Sequence, residues 1–487
     1  MRGAHATLAD VTDARPPLPA RGDAPVPSFT ADELVRITGG VLVHASDRPI
    51  RGGAVDSRSV EAGQAFFALP GERTDGHAYL DEAGAAGAGA LIVTRPPADP
   101  TAFGDVTVIR VADGIRALQA TAAAWRARFE PLVVGITGSI AKTSTKEAVA
   151  AVLDRAMTTL RSRGNQNNEI GLPLTLLRLG PEHEAAILEM GMYVGGEIAD
   201  LARIAKPRIG IVTAIQGVHL SRIGSIEAIA AAKAELVEAL PADGTAILNA
   251  DDPRTLRLAG RTAADILTYG FSSSADVRAE DVTSAGFEGM RFTLAVGNRR
   301  TAVAVPNLGR MAVHNALAAA AVGSVAGLAL ETIAAGLATG WAAPHRAAIV
   351  RLADVTVIDD SYNASPGAVL SALELLGGLP GRRVAVLGEM LELGHEHDEG
   401  HQRVGTAAAA IAQVLVVVGD GAERIASAAE AAGMVPGSVF RAADSDAALD
   451  LLIPRLRSGD VVLVKASRGA ALDRLVVGLR DALGPRP

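Results

Sequence analysis

The sequence predicts an α/β protein of several domains: a small N-terminal α/β unit, a central unit built on a parallel sheet, and a C-terminal doubly wound unit. Three observations predict it. At 487 residues the chain exceeds what one hydrophobic core serves, so roughly two to four domains are expected. From Phe29 onward short apolar runs alternate with helical patterns, as in parallel sheets joined by crossover helices. Many of those runs end in polar residues, and open α/β sheets bind ligands beyond the carboxyl ends of their strands.

Composition narrows the function classes. Hydrophobic residues make up 49% against 21% charged, ample material for packed cores. A net charge of −8 with 3% aromatics argues against nucleic-acid binding, which asks for a basic face and stacking rings. Zero cysteines exclude disulfides, thiolate nucleophiles and cysteine zinc sites, which fits a cytoplasmic location. The longest apolar run, Ala316 to Leu330, is about fifteen residues, short of the roughly 20 that span a bilayer, and reads as a buried core helix. Residues 1–27 carry charges and five prolines (Pro16, Pro17, Pro19, Pro25, Pro27) but no apolar signal core, so a disordered extension is expected.

The N-terminal unit opens with a capped helix, Thr30 as N-cap and Glu33 three residues on. A strand at Val41–Val43, a strand at Ala65–Leu69, a helix near Ala78–Ala86 and a strand at Ala90–Val93 follow. The polar segments Asp56-Ser57-Arg58 and Asp75-Gly76-His77 read by themselves as turns. A helix around Ala117–Arg128 leads out of the unit.

Residues 133–147 are the centre of the chain. Val133 to Ile136 reads as a buried strand, Gly138 and Ser139 as a tight turn, and Lys142-Thr143-Ser144 as the start of a helix whose inner face carries Val149, Val152, Leu153 and Ala156. A strand, turn and helix of this kind aim backbone N–H groups and a helix dipole at one point, which suits a phosphate. Lys142 would reach the β- and γ-phosphates, and the Thr143 hydroxyl would hold Mg²⁺. Ile136 and Ala141 stand where the general phosphate-loop pattern has glycine, so an ordinary turn with an exposed lysine is the competing reading.

The strands that follow end in chemistry-bearing residues. Ala185–Leu188 runs into Glu189, Ile209–Thr213 into a loop ending at His219, and Thr245–Leu248 into Asn249 and Asp251-Asp252. In the helix around Ser225–Leu240, Lys233 shares the inward face with Ile229, Leu236 and Val237. It either snorkels to the edge or is held neutral for chemistry. Residues 271–306 read as inserted strand-and-turn material, with strands at Met290–Val296 and Thr301–Val305, before an Ala-rich helix that His314-Asn315 opens. Trp341 to Pro344 breaks the pattern. In the last unit Val355–Ile358 leads into Asp359-Asp360, Arg383–Leu387 into Gly388-Glu389, Val414–Val418 into Gly419-Asp420, and Val461–Val464 into Lys465.

With these residues placed, the chain resembles the Mur ligases, the ATP-dependent amide-forming enzymes of peptidoglycan assembly, and within them the branch that adds D-alanyl-D-alanine. Thr137-Gly138-Ser139-Ile140-Ala141-Lys142-Thr143 matches the family's nucleotide loop, and Gly164-Asn165-Gln166-Asn167-Asn168-Glu169-Ile170-Gly171 its substrate loop. Glu189-Met190-Gly191, the loop ending at His219, Lys233 and Asn249 to Asp252 match its metal- and nucleotide-site segments. Asp360-Ser361-Tyr362-Asn363, Gly388 to Gly394 and Lys465-Ala466-Ser467-Arg468 match the D-alanyl-D-alanine-adding branch. The likeness runs from about Phe29 to the C-terminus, and departs from the pattern at Ala141, at Ala466, at Thr213 to Gly217 and at Met311-Ala312.

The resemblance implies three domains: residues 28–131 for the uridine-linked precursor, 132–343 as a P-loop ATPase-like parallel-sheet domain, and 344–487 as a Rossmann-like ligase domain. It implies ATP held by Gly138, Ser139, Ala141, Lys142, Thr143 and Ser144, with Asn249 and Asn315 toward adenine and Arg346 and Asp360 closing from the third domain. Mg²⁺ would be held by Thr143 and Glu189, and by Glu189, His219 and a carbamylated Lys233. Lys142, Glu189, His219 and Lys233 are thereby the candidate catalytic set. UDP-N-acetylmuramoyl-tripeptide would meet Ser57, Arg58, Asp75 and His77 at its nucleotide end and Asn165, Asn167 and Asn168 nearer the reaction. D-alanyl-D-alanine would meet Tyr362, Asn363, Lys465, Ser467 and Arg468. A monomer with no nucleic-acid or membrane-spanning role is expected. Two alternatives stand beside this: a Mur-type ligase acting on another amino acid or conjugate, and a nucleotide-binding paralogue without turnover.

Overall fold

The computed structural model describes residues 27–71, 74–217 and 220–484. The expected extension at residues 1–27 lies, but for Pro27, outside the described residues, and so does His219.

Three sheets organise the chain. The first has five strands in the order Val41–His44, Thr107–Arg110, Ala90–Val93, Ala65–Phe67, Gly53–Ala54, parallel except at the Val41–His44 edge. Its leading helix, Ala31–Thr38, carries the expected capping box: the Thr30 hydroxyl accepts from the Glu33 amide and the Glu33 carboxylate accepts from the Thr30 amide. The predicted helix around 117–128 spans Gly114–Arg126, and its Trp125 donates from Nε1 to the Leu179 carbonyl in the next domain.

The central sheet has nine strands. Reading across it, Thr159–Arg161, Ala185–Glu189, Leu132–Thr137, Ile209–Val212, Thr245–Asn249, Asp265–Gly270 and Val277–Ser284 run parallel. Met290–Val296 and Arg299–Val305 complete the edge antiparallel. The stretch read as an insertion therefore extends the sheet. The strand Leu132–Thr137 sits between Ala185–Glu189 and Ile209–Val212, so its carboxyl end is flanked by those of two neighbours.

Two local expectations are corrected. The Ala-rich helix spans Gly309–Val325, so His314 and Asn315 lie in its second turn. Gly309, at φ +78°, lets the chain turn straight from the extended Leu308 into the helix, seven residues before the apolar run that starts at Ala316. The helix after the phosphate loop ends at Leu153, which leaves Ala156 exposed in a turn beyond it.

The third sheet has six strands, Ala348–Leu352, Val355–Asp359, Asp460–Lys465, Arg382–Gly388, Val414–Val418 and Val439–Ala442, parallel except for the first. Packing distinguishes this unit from the rest. One apolar cluster runs from Phe29 and Trp125 through Leu172 and Leu188 to Leu236, joining the first two domains, whereas the third builds two clusters around Leu387 and Val464, the first of which also takes in Leu308 of the central domain.

Candidate active site

The phosphate loop is shaped by two residues in unusual backbone conformations. Gly138 has φ +148°, and a Cβ there would run into the Thr213 hydroxyl. Ala141, the residue before the helix Lys142–Leu153, has φ +66° and ψ 0°, left-handed for a residue that carries a Cβ. Ser139 closes the loop on the next strand: its amide donates to the Ala214 carbonyl at 2.8 Å, and its hydroxyl donates to the Gln216 carbonyl at 2.9 Å. The ammonium of Lys142 folds back on the Gly138 carbonyl at 2.8 Å, inside the turn where a phosphate would lie. Burial lowers its pKa, and the Arg346 guanidinium pushes the same way against the Glu189 carboxylate.

Beside the loop stands a buried acid. The Thr143 hydroxyl donates to Glu189 Oε2 at 2.9 Å, and Asn167 donates to Glu189 Oε1 at 2.8 Å. Glu189 is 2% exposed at the end of its strand, as the alternation of apolar runs and polar ends predicted. Lys233 lies inward on the helix Ile226–Glu238 and is 3% exposed. Burial, with the charge of Lys142, lowers its pKa far below the ordinary lysine range, the state in which an amine is free to react. The snorkelling reading of Lys233 is thus set aside.

A cavity of about 590 Å³ opens from this loop toward the third domain. Ser139, Ala141, Lys142, Ser144 and Asn315 line one wall, and Arg346, Asp360, Asn363 and Lys465 the other. Lys465 is buried and holds that second wall together, donating to Asp360 Oδ2 at 2.6 Å and to the Asn363 carbonyl at 2.9 Å. The guanidinium of Arg346 lies 4.2 Å from the Tyr362 ring centre and that of Arg468 5.6 Å, so both cations meet one aromatic ring. The Ser467 hydroxyl accepts from the Leu391 amide at 2.9 Å. Asn249 does not line the cavity. Its side chain is buried, donating to the Thr213 carbonyl and accepting from the Asp251 amide, which ties two strand ends together.

Of the three asparagines of the segment 164–171, Asn167 reaches Glu189, Asn168 caps the following helix through the Gly171 amide, and Asn165 is exposed. In the first domain the polar segments satisfy themselves. Arg58 forms a fork on Asp56, and Ser57 donates to Glu82. His77 accepts from the Thr94 amide at Nε2, so its Nδ1–H donates to Asp75 at 2.7 Å. That bond, with the His77 backbone amide, holds the Asp75 carboxyl well below the usual carboxylate range.

Three domain signatures fall on the chain in order: "Mur ligase family, catalytic domain" at residues 49–126, "Mur ligase middle domain" at 136–323 and "Mur ligase, glutamate ligase domain" at 345–468. The UDP-N-acetylmuramoyl-tripeptide–D-alanyl-D-alanine ligase of Escherichia coli is 38% identical over 464 residues, covering 93% of this chain and 99% of that one. The chain belongs to the Mur ligase family. Its fold agrees: a crystal structure of MurF from Acinetobacter baumannii matches with a TM-score of 0.84 at 30% identity, over 94% of this chain and all (100%) of that one. The MurF ligase from Thermotoga maritima, solved with ADP, matches with a TM-score of 0.78 at 27% identity, over 89% and 98% of the two chains.

As a Mur ligase the chain departs from the sequence pattern in ways its structure accommodates. Ala466 is fully buried and packs against Gly388, where a Cβ would come within 2.7 Å of the Ala466 methyl, so the glycine across the sheet makes room. The sequence reading missed the end of the cavity near Asp251. There His314 Nε2 meets Asp251 Oδ2 at 2.9 Å, Phe271 lies edge-on to His314, and the Arg310 guanidinium stands 4.2 Å over Phe271. Arg310 and His314 are one helical turn apart, but Asp251 and Phe271 lie tens of positions away, and no local pattern joins the three segments. Lys146 was missed too, although it stands three before Val149 on the helix and so carried the inward-face signal that marked Lys233.

The donors suit a divalent cation in part. The Thr143 hydroxyl and Glu189 carboxylate are adjacent hard oxygen donors. The Lys233 amine would serve a hard cation only after N-carboxylation. Among the described residues, no group of three or more His, Cys, Asp or Glu side chains is placed to hold a metal, and no helix is long and apolar enough to cross a membrane.

Proposed function

We infer that this Mur ligase joins D-alanyl-D-alanine to UDP-N-acetylmuramoyl-tripeptide, with conversion of ATP to ADP and phosphate, in peptidoglycan precursor assembly. The observation that carries the reading is the cleft in which the phosphate loop, with Glu189 buried behind it on Thr143, faces Arg346, Asp360 and Lys465 of the third domain. A carboxylate and an amine do not condense in water unaided, so the carboxylate must first be activated. The γ-phosphoryl passes from ATP to the tripeptide's terminal carboxylate, giving an acyl phosphate and ADP. The dipeptide amine then attacks the acyl carbon, phosphate leaves, and the amine gives up its proton. Protein groups position these partners and neutralise charge.

Lys142 and the loop amides steady the phosphates. Asn167 and Asn168 lie where the tripeptide carboxylate must come, and Tyr362, Asn363, Lys465, Ser467 and Arg468 receive the dipeptide. Asn315 faces the adenine end, while Asn249 supports that wall from behind. Ser57, Arg58, Asp75 and His77 mark the uridine end in the first domain. Bound Mg²⁺ would supply charge neutralisation on phosphate oxygens; Thr143 and Glu189 would hold one ion, and Glu189 and N-carboxylated Lys233, with His219, would be the ligands of a second. A cytoplasmic monomer is the reading, and the lack of cysteines is in keeping with a reducing compartment.

ADP release with the tripeptide substrate, with and without D-alanyl-D-alanine, tests the reading. Dipeptide-dependent ADP is expected; turnover with another amino acid instead, or none, moves the enzyme to another conjugate or to a non-catalytic role. Lys233→Ala should abolish turnover, with partial recovery in a short carboxylic acid. Near-wild-type turnover in that variant would contradict the metal-ligand role.

A further inference from the structure

Lys146 is 0% exposed, yet it is a cation among backbone carbonyls. Its ammonium donates to the Ser162 carbonyl at 2.6 Å and the Gly164 carbonyl at 3.2 Å, and lies 3.1 Å from Glu147 Oε1. Glu147 in turn meets Arg161 at 3.3 Å. The two carbonyls flank Arg163 at the root of the 164–171 segment, where Gly164 turns the chain at φ +52°. Ser162 works in two directions: its carbonyl accepts from Lys146, and its hydroxyl accepts from the Glu189 amide at 3.3 Å. Further along the segment the Asn167 carbonyl accepts from the Gly191 amide at 2.8 Å while its side chain holds Glu189. One ammonium, four residues after Lys142 on the same helix, thus pins the loop that wraps the Glu189 turn.

We propose that Lys146 is a positioning residue that couples the phosphate loop to the tripeptide-binding segment, fixing where Asn167 and Glu189 meet the acceptor carboxylate. The inference rests on the ligase reading above. Burying an ammonium is costly, and an apolar side chain of the same volume often serves stability as well, so what the charge supplies here is the register of the two carbonyls. Leaving those carbonyls without a donor frees the segment from the helix while the phosphate loop, closed by Ser139 and Lys142, keeps its own bonds.

Lys146→Met, which keeps the length and removes the charge, decides it in the full chain. The Michaelis constant for UDP-N-acetylmuramoyl-tripeptide should rise about tenfold or more, while the ADP dissociation constant stays within about twofold. Lys146→Gln, able to donate to one carbonyl, should fall between. An unchanged tripeptide constant, or both constants moving together with a loss of melting temperature, would overturn the proposal. If Lys146→Met does not accumulate as folded protein, Lys146→Gln decides instead: a raised tripeptide constant with unchanged ADP binding supports the coupling, and wild-type behaviour refutes it. A wild-type enzyme with no tripeptide-dependent ADP release would strike the ligase reading and this inference together. An active wild type with unaffected variants strikes the inference alone.

Discussion

Ala141 concentrates the tension between sequence and site. At φ +66° it carries a strain of about 1–2 kcal/mol that glycine would not. Glycine would return about 0.4–1 kcal/mol of that through the entropy of the unfolded chain. Ala141→Gly should therefore leave stability nearly unchanged or slightly raised, keep kcat, and lower the Michaelis constant for ATP as the loop relaxes more readily around phosphate. Steady-state kinetics with ATP varied check this, and a large loss of kcat would mean that the loop is built around the methyl group. At this scale the positions of Lys142 and Thr143 at a turn that opens a helix, of Glu189 at a strand end and of Lys233 on an inward helix face were legible in the sequence. Asn249 was misplaced toward the ligand because a strand-end amide looks the same in sequence whether it meets a ligand or, as here, two backbone groups.

Among the elements, the segment Gly388 to Gly394 shows how an exposed-looking motif is held. His401, 0% exposed on the helix His397–Ile411, accepts from the Met390 amide at 3.0 Å through Nε2 and donates from Nδ1 to the His397 carbonyl at 2.7 Å. The bond accepted at Nε2 needs the neutral imidazole. Burial lowers its pKa below 6.5; the bond to the His397 carbonyl and the nearby Glu389 and Asp398 carboxylates only partly oppose this, while the His397 ring adds to it. Between the folded value and about 6.5 the unfolded chain binds the extra proton, so the stabilisation is full above that window and is lost as pH falls through it. Melting temperatures between about pH 7.5 and 5.5 should thus fall more steeply for the wild type than for His401→Gln; equal slopes would contradict the account.

Element boundaries followed the same logic of burial. Strands buried on both faces, Ala90–Val93 and Val414–Val418, were read to the residue. Asp265–Gly270 and Val277–Ser284 were missed because half or more of their side chains are not buried, and Asp281, at φ +53°, breaks the alternation of the second.

For the whole molecule, the first two domains share one broad core, whereas the third meets the central domain at Leu308 and Phe287, so the third is the body expected to move. The connection has the backbone for a hinge: Gly340, His345 and Ala347 all have positive φ. A light contact spans the gap on one side, where Arg222 meets Glu392 at 3.1 Å and the Ser221 amide donates to the Glu392 carbonyl. Filling the cleft with a non-hydrolysable ATP analogue and the tripeptide substrate should shrink the radius of gyration in X-ray solution scattering, because Arg346 and Lys142 lose their mutual repulsion once a phosphate chain lies between them. No change on saturation would mean that the domains are already in their working arrangement. Three domains were legible from strand–helix alternation; the division of rigidity among them was not, since it depends on which apolar faces meet.

The central claim is that one cleft activates a carboxylate by phosphorylation and then delivers an amine to it. Its most direct test is turnover of tripeptide substrate carrying oxygen-18 in the terminal carboxylate, with ATP and D-alanyl-D-alanine, and mass spectrometry of the products. The account predicts that the tripeptide gains the dipeptide in amide linkage and that one oxygen-18 appears in the released phosphate. Ligated product with unlabelled phosphate, or labelled phosphate with no amide formed, would contradict it.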